Sequence, residues 1–193
     1  MAHAKPKEMT ADEFLIWNLS QEERYELVDG FPVPLRGMSG ASTTHDQIVV
    51  NLIALLRDRL RGTNCRPTTP DVALRTAIKR VRRPDVTIER APPDAKSYEA
   101  RNPVAVFEVL SPTTRKHDRT VKLAEYMRHP SLRTIVHIDP DLMDIVVYRR
   151  DDAGQWQDEP LDRPEHRCEI AGTNAALTLA EIYEDVPLGG GQT

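Results

Sequence analysis

The sequence is poor in cysteine, in aromatic residues and in long apolar segments. Its two cysteines, Cys65 and Cys168, lie far apart, and no Cys or His is spaced around them as zinc ligands are. This spacing argues against a disulfide framework and against a structural zinc site. Aromatic residues make up 5% of the chain, which gives little support to a glycosidase that would bind sugars on aromatic platforms.

Long apolar segments are also missing. Apolar residues make up 39% of the chain and charged residues 29%, and no tract is apolar enough to cross a bilayer. Residues 1–20 have a short basic start but no continuous apolar core, so a secretory signal is not expected. We expect a cytoplasmic protein with a disordered lead at 1–9, a single domain at 10–186 and a flexible tail at 187–193.

Charge is distributed unevenly along the chain. Residues 66–133 contain 15 Lys or Arg and 8 Asp or Glu, a formal charge of +7, although the whole chain carries −4. The middle of the chain could therefore face a polyanion. For the basic run at 79–83 taken by itself, a solvated face is the commoner explanation.

The pattern of apolar residues predicts an α/β domain with one central mixed sheet flanked by helices. Between residues 48 and 60 the apolar residues recur at three- and four-residue spacing, which predicts an amphipathic helix. Asp29-Gly30 between two apolar segments predicts a β-hairpin with Glu26 on its first strand. The functional interpretation of Glu26 is a second acidic group near a later carboxylate, Glu108, and the alternative is an exposed strand residue.

The stretch at 104–112 contains a predicted buried strand of about seven residues, and this strand includes the later carboxylate, Glu108. The strand is apolar except for Glu108 and is bounded by Asn-Pro and Ser-Pro. Burying a carboxylate costs several kcal/mol unless it is paired, hydrogen-bonded or bound to a cation. Two structural explanations compete with a functional one: a salt bridge to an arginine, or strand alternation that turns Glu108 to solvent.

Another carboxylate, Asp85, lies early on the preceding predicted strand, which begins at Pro84. If the two strands pair antiparallel through the Pro-rich loop at 91–103, Asp85 and Glu108 lie at the same end of the sheet. Two carboxylates there, with a backbone carbonyl and waters, suit a divalent cation such as Mg²⁺. Such an ion lowers the pKa of a bound water and stabilises a phosphodiester under attack.

The helix predicted after Glu108 could supply an ammonium group to this site. Asp118, Lys122 and Tyr126 fall at successive i, i+4 positions on one side of it. Lys122 or Lys116 could orient the water or stabilise the anion, and the structural alternative for Lys122 is a surface salt bridge to Asp118. Val121, Leu123 and Ala124 can face inward on this helix.

Four motifs in this order resemble one known family. Along the chain they are Tyr-Glu-Leu-Val-Asp-Gly near the start, Pro84-Asp85, Phe-Glu-Val-Leu-Ser-Pro-Thr-Thr around Glu108, and the spacing of Asp118, Lys122 and Tyr126. Together they look like the Uma-type restriction endonuclease family of the PD-(D/E)XK nuclease superfamily, over about residues 10–186. The resemblance implies a restriction-endonuclease-like fold, a metal-dependent nuclease centre and action on DNA.

Carried over to this chain, the resemblance assigns roles to four residues. Asp85 and Glu108 would hold Mg²⁺ or Mn²⁺, Lys122 would assist, and Glu26 would be a third acidic group at the metal. His45 matches a histidine common at its place in the family and ranks as peripheral.

One residue departs from the superfamily pattern. Leu110 stands two residues after Glu108, where the superfamily has lysine, and Lys122 on the next helix fits the Uma-type pattern in its place. The departure leaves room for a rival hypothesis, a catalytically inactive nucleic-acid-binding or assembly module with the same fold. Because nucleases that cut both strands are commonly dimers, the expected partners are DNA and a second copy of the chain.

Overall fold

The computed structural model describes residues 7–35, 42–111 and 115–188. The helices are α1 (Ala11–Asn18), α2 (Thr43–Arg59), α3 (Arg115–His117), α4 (Leu123–Arg128) and α5 (Leu179–Ile182), and a π-helical turn (Asp118–Lys122) joins α3 to α4. The strands are β1 (Tyr25–Val28), β2 (Phe31–Pro34), β3 (Arg66–Thr68), β4 (Leu74–Ala77), β5 (Arg80–Arg82), β6 (Val86–Glu89), β7 (Pro103–Val109), β8 (Thr134–Ile138), β9 (Ile145–Arg150), β10 (Trp156–Leu161), β11 (Arg167–Glu169) and β12 (Ala176–Thr178). Most of the predicted lead and tail, and the Pro-Thr-Thr that ends the motif around Glu108, lie outside the described residues.

A six-stranded mixed sheet forms the centre of the fold. Its strand order is β10-β9-β8-β7-β6-β3, with β7 and β8 parallel and the other neighbours antiparallel. This sheet and its flanking helices confirm the predicted fold class. Parallel strands need a long crossover, and here it contains α3, the π-helical turn and α4. These three pieces run without a break from residue 115 to residue 128 and are termed the site helix.

The central strand, β7, is covered on both faces, and all seven of its residues are buried. Phe107 and Val109 pack in the main core with α2, whereas Val106 packs against Tyr126 of the site helix. Because side chains alternate along a strand, Glu108 lies on the same face as Val106. Glu108 is 4% exposed, so the explanation that alternation turns it to solvent is wrong.

α2 covers the opposite face of the sheet, as its apolar periodicity predicts. Its Ile48, Leu52 and Leu56 are fully buried. The helix begins after Ser42, whose hydroxyl accepts a hydrogen bond from the backbone N–H of His45 at 3.2 Å and so satisfies one of the free donors of the first turn. This cap fixes His45 in the first turn of the helix.

A second sheet, with strand order β2-β1-β5-β4, brings Glu26 toward the site helix. The predicted hairpin is present, and Asp29 and Gly30 have φ angles of 49° and 87°, since a two-residue turn of this kind needs positive φ at both positions. β1 pairs antiparallel with β5, with Leu27 opposite Val81. Glu26 and Arg82 are therefore the next opposed pair.

The C-terminal part of the chain extends the central sheet. β9 pairs antiparallel with β8, and β10 forms the edge beyond it. The last helix, α5, has four residues and begins after the capping residue Thr178. Within the three described ranges, none of the helices has the length and apolar content that crossing a membrane requires.

Candidate functional site

Asp85 and Glu108 lie side by side at the end of the central sheet where β6 begins and β7 ends. The register of these strands pairs Val86 with Phe107, which makes Asp85 and Glu108 the next opposed positions. Oδ2 of Asp85 accepts a hydrogen bond from the backbone N–H of Val109 at 2.7 Å. The structure therefore brings the two carboxylates together at the sheet end where their strand order predicts them.

The buried charge of Glu108 has partners. The Tyr126 hydroxyl donates a hydrogen bond to Oε1 of Glu108 at 2.6 Å, and Nζ of Lys122 lies 3.3 Å from the same oxygen. A lysine and a tyrosine on the site helix thus fill the role that the structural explanation gave to an arginine.

Lys122 is the central cation of the site. Its Nζ lies 3.1 Å from Oδ1 of Asp118, 3.3 Å from Oε1 of Glu108 and 3.5 Å from Oε1 of Glu26. The Lys122 side chain is buried, whereas Lys116, the alternative lysine, is exposed to solvent. Of the two lysines, Lys122 is the one that lies among the carboxylates.

The site helix turns its charged side inward, and of the residues expected to face inward Val121 lies in solvent, whereas Leu123 packs against the apolar cluster around Tyr126. Val121 is 43% exposed, whereas Asp118 and Lys122 are 3% and 7% exposed, and Leu123 and Ala124 are only partly buried. The cause is the carboxylate on the facing strand, which needs a cation and a hydrogen-bond donor. The predicted salt bridge between Asp118 and Lys122 exists, but it is buried in the π-helical turn, a feature often found at functional sites.

Glu26 is buried beside Lys122 and has donors at both of its oxygens. Nη1 of Arg82 donates to Oε2 at 3.0 Å, and the backbone N–H of Arg83 donates to Oε1 at 3.1 Å. Arg82 in turn donates hydrogen bonds of 2.7 and 2.6 Å to the two oxygens of Glu125. Sequence reasoning missed both Arg82 and Glu125 as parts of the site.

The expectation of a solvated face for the basic run at 79–83 is wrong for two of its arginines. Arg82 is 0% exposed and Arg83 is 7% exposed. The guanidinium of Arg82 binds the buried carboxylates, and that of Arg83 donates to backbone carbonyls of Tyr25, Pro70 and Asp71. Burial is possible because all three guanidinium nitrogens of Arg82, and Nε and Nη1 of Arg83, have acceptors.

His45, which the sequence ranks as peripheral, lies in contact with Asp85. Its Nε2 is 3.4 Å from Oδ2 of Asp85. Burial opposes the charged imidazole, but hydrogen bonds to Asp85 and to the backbone of Val109, together with the charge of Asp85, raise the pKa of His45. The cap of α2 therefore places an imidazole beside one of the two carboxylates, and Asp85 favours its protonated form.

His137 is a buried histidine beside the site that the sequence does not single out. It lies opposite Glu108 in the parallel register of β7 and β8 and is 1% exposed. Among the described residues, neither of its ring nitrogens has a hydrogen-bond partner, and the ring packs edge-on against Tyr148 at a centroid distance of 5.4 Å. Burial lowers the pKa of His137 to about 4, so its imidazole is neutral near pH 7.

The acidic groups of the site outnumber its central cation. Burial is the main cause that raises the pKa of Glu108 to about 8, and the charges of Asp85 and Asp118 add to it against the opposing effect of Lys122. Burial also opposes the charge of Lys122, but Glu108, Glu26 and Asp118 together outweigh it and raise the pKa of the ammonium. An additional proton or cation is therefore favoured at Glu108.

The donor set at this end of the sheet fits a hard divalent cation. Part of the raised pKa of Glu108 comes from repulsion by Asp85, and a divalent cation between the two carboxylates would remove that cost. In the described ranges, no group of three or more His, Cys, Asp or Glu side chains is arranged to hold a metal ion. A pair of carboxylates suits Mg²⁺, which keeps several waters and uses substrate phosphates as further ligands, better than it suits a closed zinc site.

The sequence is similar to one protein family over most of its length. Residues 11–180 match the Uma2 family, described as "Putative restriction endonuclease". The uncharacterized protein slr1290 of Synechocystis sp. is 31% identical over 150 residues, which cover 77% of this chain and 77% of that protein. The uncharacterized protein sll1609 of the same organism is 27% identical over 160 residues, which cover 81% of this chain and 89% of that protein. With the mixed sheet and helices described above, the family match confirms the expected restriction-endonuclease-like fold.

Replacing His137 by Phe should weaken the loss of stability in mild acid. The unfolded chain takes up a proton near the ordinary histidine pKa of 6.5, whereas burial holds the folded value at about 4. The contribution of neutral His137 to the free energy of unfolding is therefore fully present above pH 6.5 and is lost as the pH falls toward 4. A shift of this size corresponds to on the order of 3 kcal/mol, a loss that His137→Phe should avoid while keeping an aromatic ring against Tyr148.

Urea unfolding at about pH 7 and about pH 5 measures the effect as a change in the free energy of unfolding. His117 is exposed on the site helix, so His117→Gln serves as the control and should keep the pH dependence of the wild type. An unchanged pH dependence in His137→Phe would show that His137 is not the group that resists protonation.

Proposed function

This chain belongs to the Uma2 family of putative restriction endonucleases, and from that premise we propose that it is a metal-dependent endonuclease that hydrolyses phosphodiester bonds of DNA. One observation carries the proposal. Lys122 lies 3.3 Å from Glu108, and Glu108 and Asp85 are opposed at one end of the central sheet. Two carboxylates and an ammonium at one place are the groups that metal-assisted phosphodiester hydrolysis uses.

In this proposal, Asp85 and Glu108 hold Mg²⁺ or Mn²⁺. When bound, the ion would lower the pKa of a water and neutralise charge that develops on the phosphate. Lys122 and Tyr126 both contact Oε1 of Glu108, so we assign the other oxygen of Glu108 to the cation. The hydrogen bond from the backbone N–H of Val109 orients the Asp85 carboxylate at the same place.

Lys122 acts as a fixed positive charge rather than as a base. Although burial opposes its charge, the surrounding carboxylates raise the pKa of Lys122, so it keeps its proton near neutral pH. An ammonium can donate hydrogen bonds to a water or to a phosphate oxygen, but it cannot accept the proton of the attacking water.

The rival function is a nucleic-acid-binding or assembly module without catalytic activity. Leu110, at the superfamily's lysine position, is the observation that favours it, since Leu110 is fully buried and apolar. Against it stands Lys122, which places an ammonium beside Glu108 from the site helix. An inactive module has no need of a buried lysine among carboxylates, because such a cluster is costly to keep.

Asp85→Asn and Glu108→Gln should each lower cleavage of plasmid DNA by about 10²-fold or more, because each removes one charged ligand of the cation but keeps the shape of the side chain. Chelation of divalent metal should abolish cleavage by the wild type. The readout is the rate of nicking and linearisation with Mg²⁺ or Mn²⁺. Full activity in both variants would contradict the proposed centre, whereas DNA binding without cleavage or metal binding in the wild type would support the inactive module.

Lys122→Met should lower the rate of cleavage by about 10²-fold, because it removes the charge but keeps an unbranched side chain of similar length. Lys116→Met is the matched control, since Lys116 is exposed on the same helix, and it should retain turnover close to that of the wild type. Single-turnover rates on a short duplex at saturating Mg²⁺ separate chemistry from binding. The reverse pattern, with loss only in Lys116→Met, would move the catalytic lysine to residue 116.

We also propose that the active form is a cytoplasmic homodimer. Each chain contains one proposed centre, and cutting both strands of a duplex is achieved most simply by two centres related by two-fold symmetry. Sedimentation of the protein with an uncleaved duplex and Ca²⁺ should give the mass of two chains for each duplex. A complex of one chain that still cuts both strands would refute the dimer.

A further inference from the structure

Four buried charged residues form a closed ring that begins and ends on the site helix. Lys122 lies 3.5 Å from Glu26 on β1, Glu26 accepts a hydrogen bond from Arg82 on β5, and Arg82 donates two hydrogen bonds to Glu125. Glu125 lies on the same helix as Lys122, three residues further along. The ring therefore ties the helix that carries the ammonium to two strands of the four-stranded sheet.

We propose that Glu26, Arg82 and Glu125 are positioning residues that fix the ammonium of Lys122 beside Glu108, and that Glu26 acts through Lys122 instead of binding the metal. The catalytic part of this inference rests on the proposed nuclease function. The part that concerns the placement of Lys122 rests on the ring alone.

The contacts of Glu26 argue for a role as counter-ion. Oε2 accepts from the guanidinium of Arg82 at 3.0 Å, and Oε1 accepts from the backbone N–H of Arg83 at 3.1 Å with Lys122 at 3.5 Å. Donors thus occupy both oxygens, and two cationic groups, Arg82 and Lys122, lie beside them. A divalent cation at Glu26 would have to displace these donors and would be repelled by the charges of Lys122 and Arg82.

Arg82 is built to hold a fixed geometry. It is 0% exposed, and its planar guanidinium contacts Glu125 through Nε and Nη2 and Glu26 through Nη1. A guanidinium presents its donors in a rigid fork, so two carboxylates bound to it have little freedom relative to each other. The Thr76 hydroxyl donates a further hydrogen bond to Oε2 of Glu125 at 3.1 Å and so also restrains this carboxylate.

The position of Lys122 in the site helix explains why its side chain needs the restraint that the ring supplies. Lys122 is the last residue of the π-helical turn, and Glu125 lies in α4 just beyond it. A π-helical turn is a rare and local departure from α-helical geometry, and a long flexible lysine at its end can adopt many rotamers. The ring restrains both the side chain, through Glu26, and the helix, through Glu125.

The test compares Arg82→Lys and Glu26→Gln with Glu99→Gln as the matched control. Arg82→Lys keeps the charge but loses the fork, and Glu26→Gln keeps the shape but loses the charge. Glu99 accepts two hydrogen bonds of 2.9 Å from Arg75, whose other partner is Asp12. It therefore represents an arginine fork of the same four-stranded sheet outside the ring.

The first readout is reductive methylation of lysines, mapped by mass spectrometry, with exposed Lys116 as the internal reference. In the wild type, Lys122 should react about tenfold more slowly than Lys116. Arg82→Lys and Glu26→Gln should each speed the reaction of Lys122 about threefold or more, whereas Glu99→Gln should not. Cys168, buried in the main core, monitors global opening, and its rate with a thiol reagent must stay at the wild-type value in any variant that is scored.

The second readout separates positioning from metal binding. Glu26→Gln and Arg82→Lys should lower kcat about tenfold or more, with KM for DNA and the affinity for Mn²⁺ unchanged. Asp85→Asn, in contrast, should weaken Mn²⁺ binding. The inference is overturned if Lys122 stays equally protected in both ring variants, or if Glu26→Gln weakens Mn²⁺ binding as Asp85→Asn does. If the wild type cuts no DNA, the proposed function fails, but the methylation and Mn²⁺ measurements still decide this inference.

Discussion

A carboxylate buried in the central strand constrains the rest of this structure. Glu108 lies in β7, whose residues are buried on both faces of the sheet, so water cannot solvate its charge. A buried carboxylate is costly unless neighbouring groups compensate for it. The site helix accordingly directs Lys122 and Tyr126 toward β7 and leaves Val121 in solvent. The inward side of the site helix carries charged residues beside apolar ones because the strand it covers carries a charge.

The compensation is not an efficient way to build a core. Replacing buried ion pairs with apolar residues of similar size is often neutral or stabilising, and yet this fold buries Arg82, Glu125, Glu26 and Lys122 together. The neighbouring cation also does not fully compensate the charge of Glu108. Burial and the neighbouring carboxylates raise the pKa of Glu108 to about 8. A site at which burial and neighbouring carboxylates favour one more proton or cation is explained better by a chemical role than by a contribution to stability.

The parts of the site that depend on strand order were predictable, and the parts that depend on distant partners were not. Two apolar segments joined by a Pro-rich loop were enough to predict that Asp85 and Glu108 share one end of the sheet. Arg82 could not be recognised as buried, because its acceptors lie 56 and 43 residues away, and a basic run has the same composition whether or not it is solvated. The exposure of Val121 could not be predicted for a related reason: apolar periodicity assumes that the facing surface is apolar, and β7 carries Glu108 on the face that the site helix covers.

The departure at Leu110 and the ring around Arg82 have one physical explanation. A lysine two residues after Glu108 would be fixed by the same backbone that fixes the carboxylate, and the strand would set the distance between the two charges. Here Leu110 is buried in that position, and the ammonium comes from the last residue of the π-helical turn in the site helix. Its distance from Glu108 then depends on where the helix lies and on which rotamer Lys122 adopts. A lysine placed in this way needs an external restraint, and Glu26, fixed by the fork of Arg82, lies where such a restraint is required.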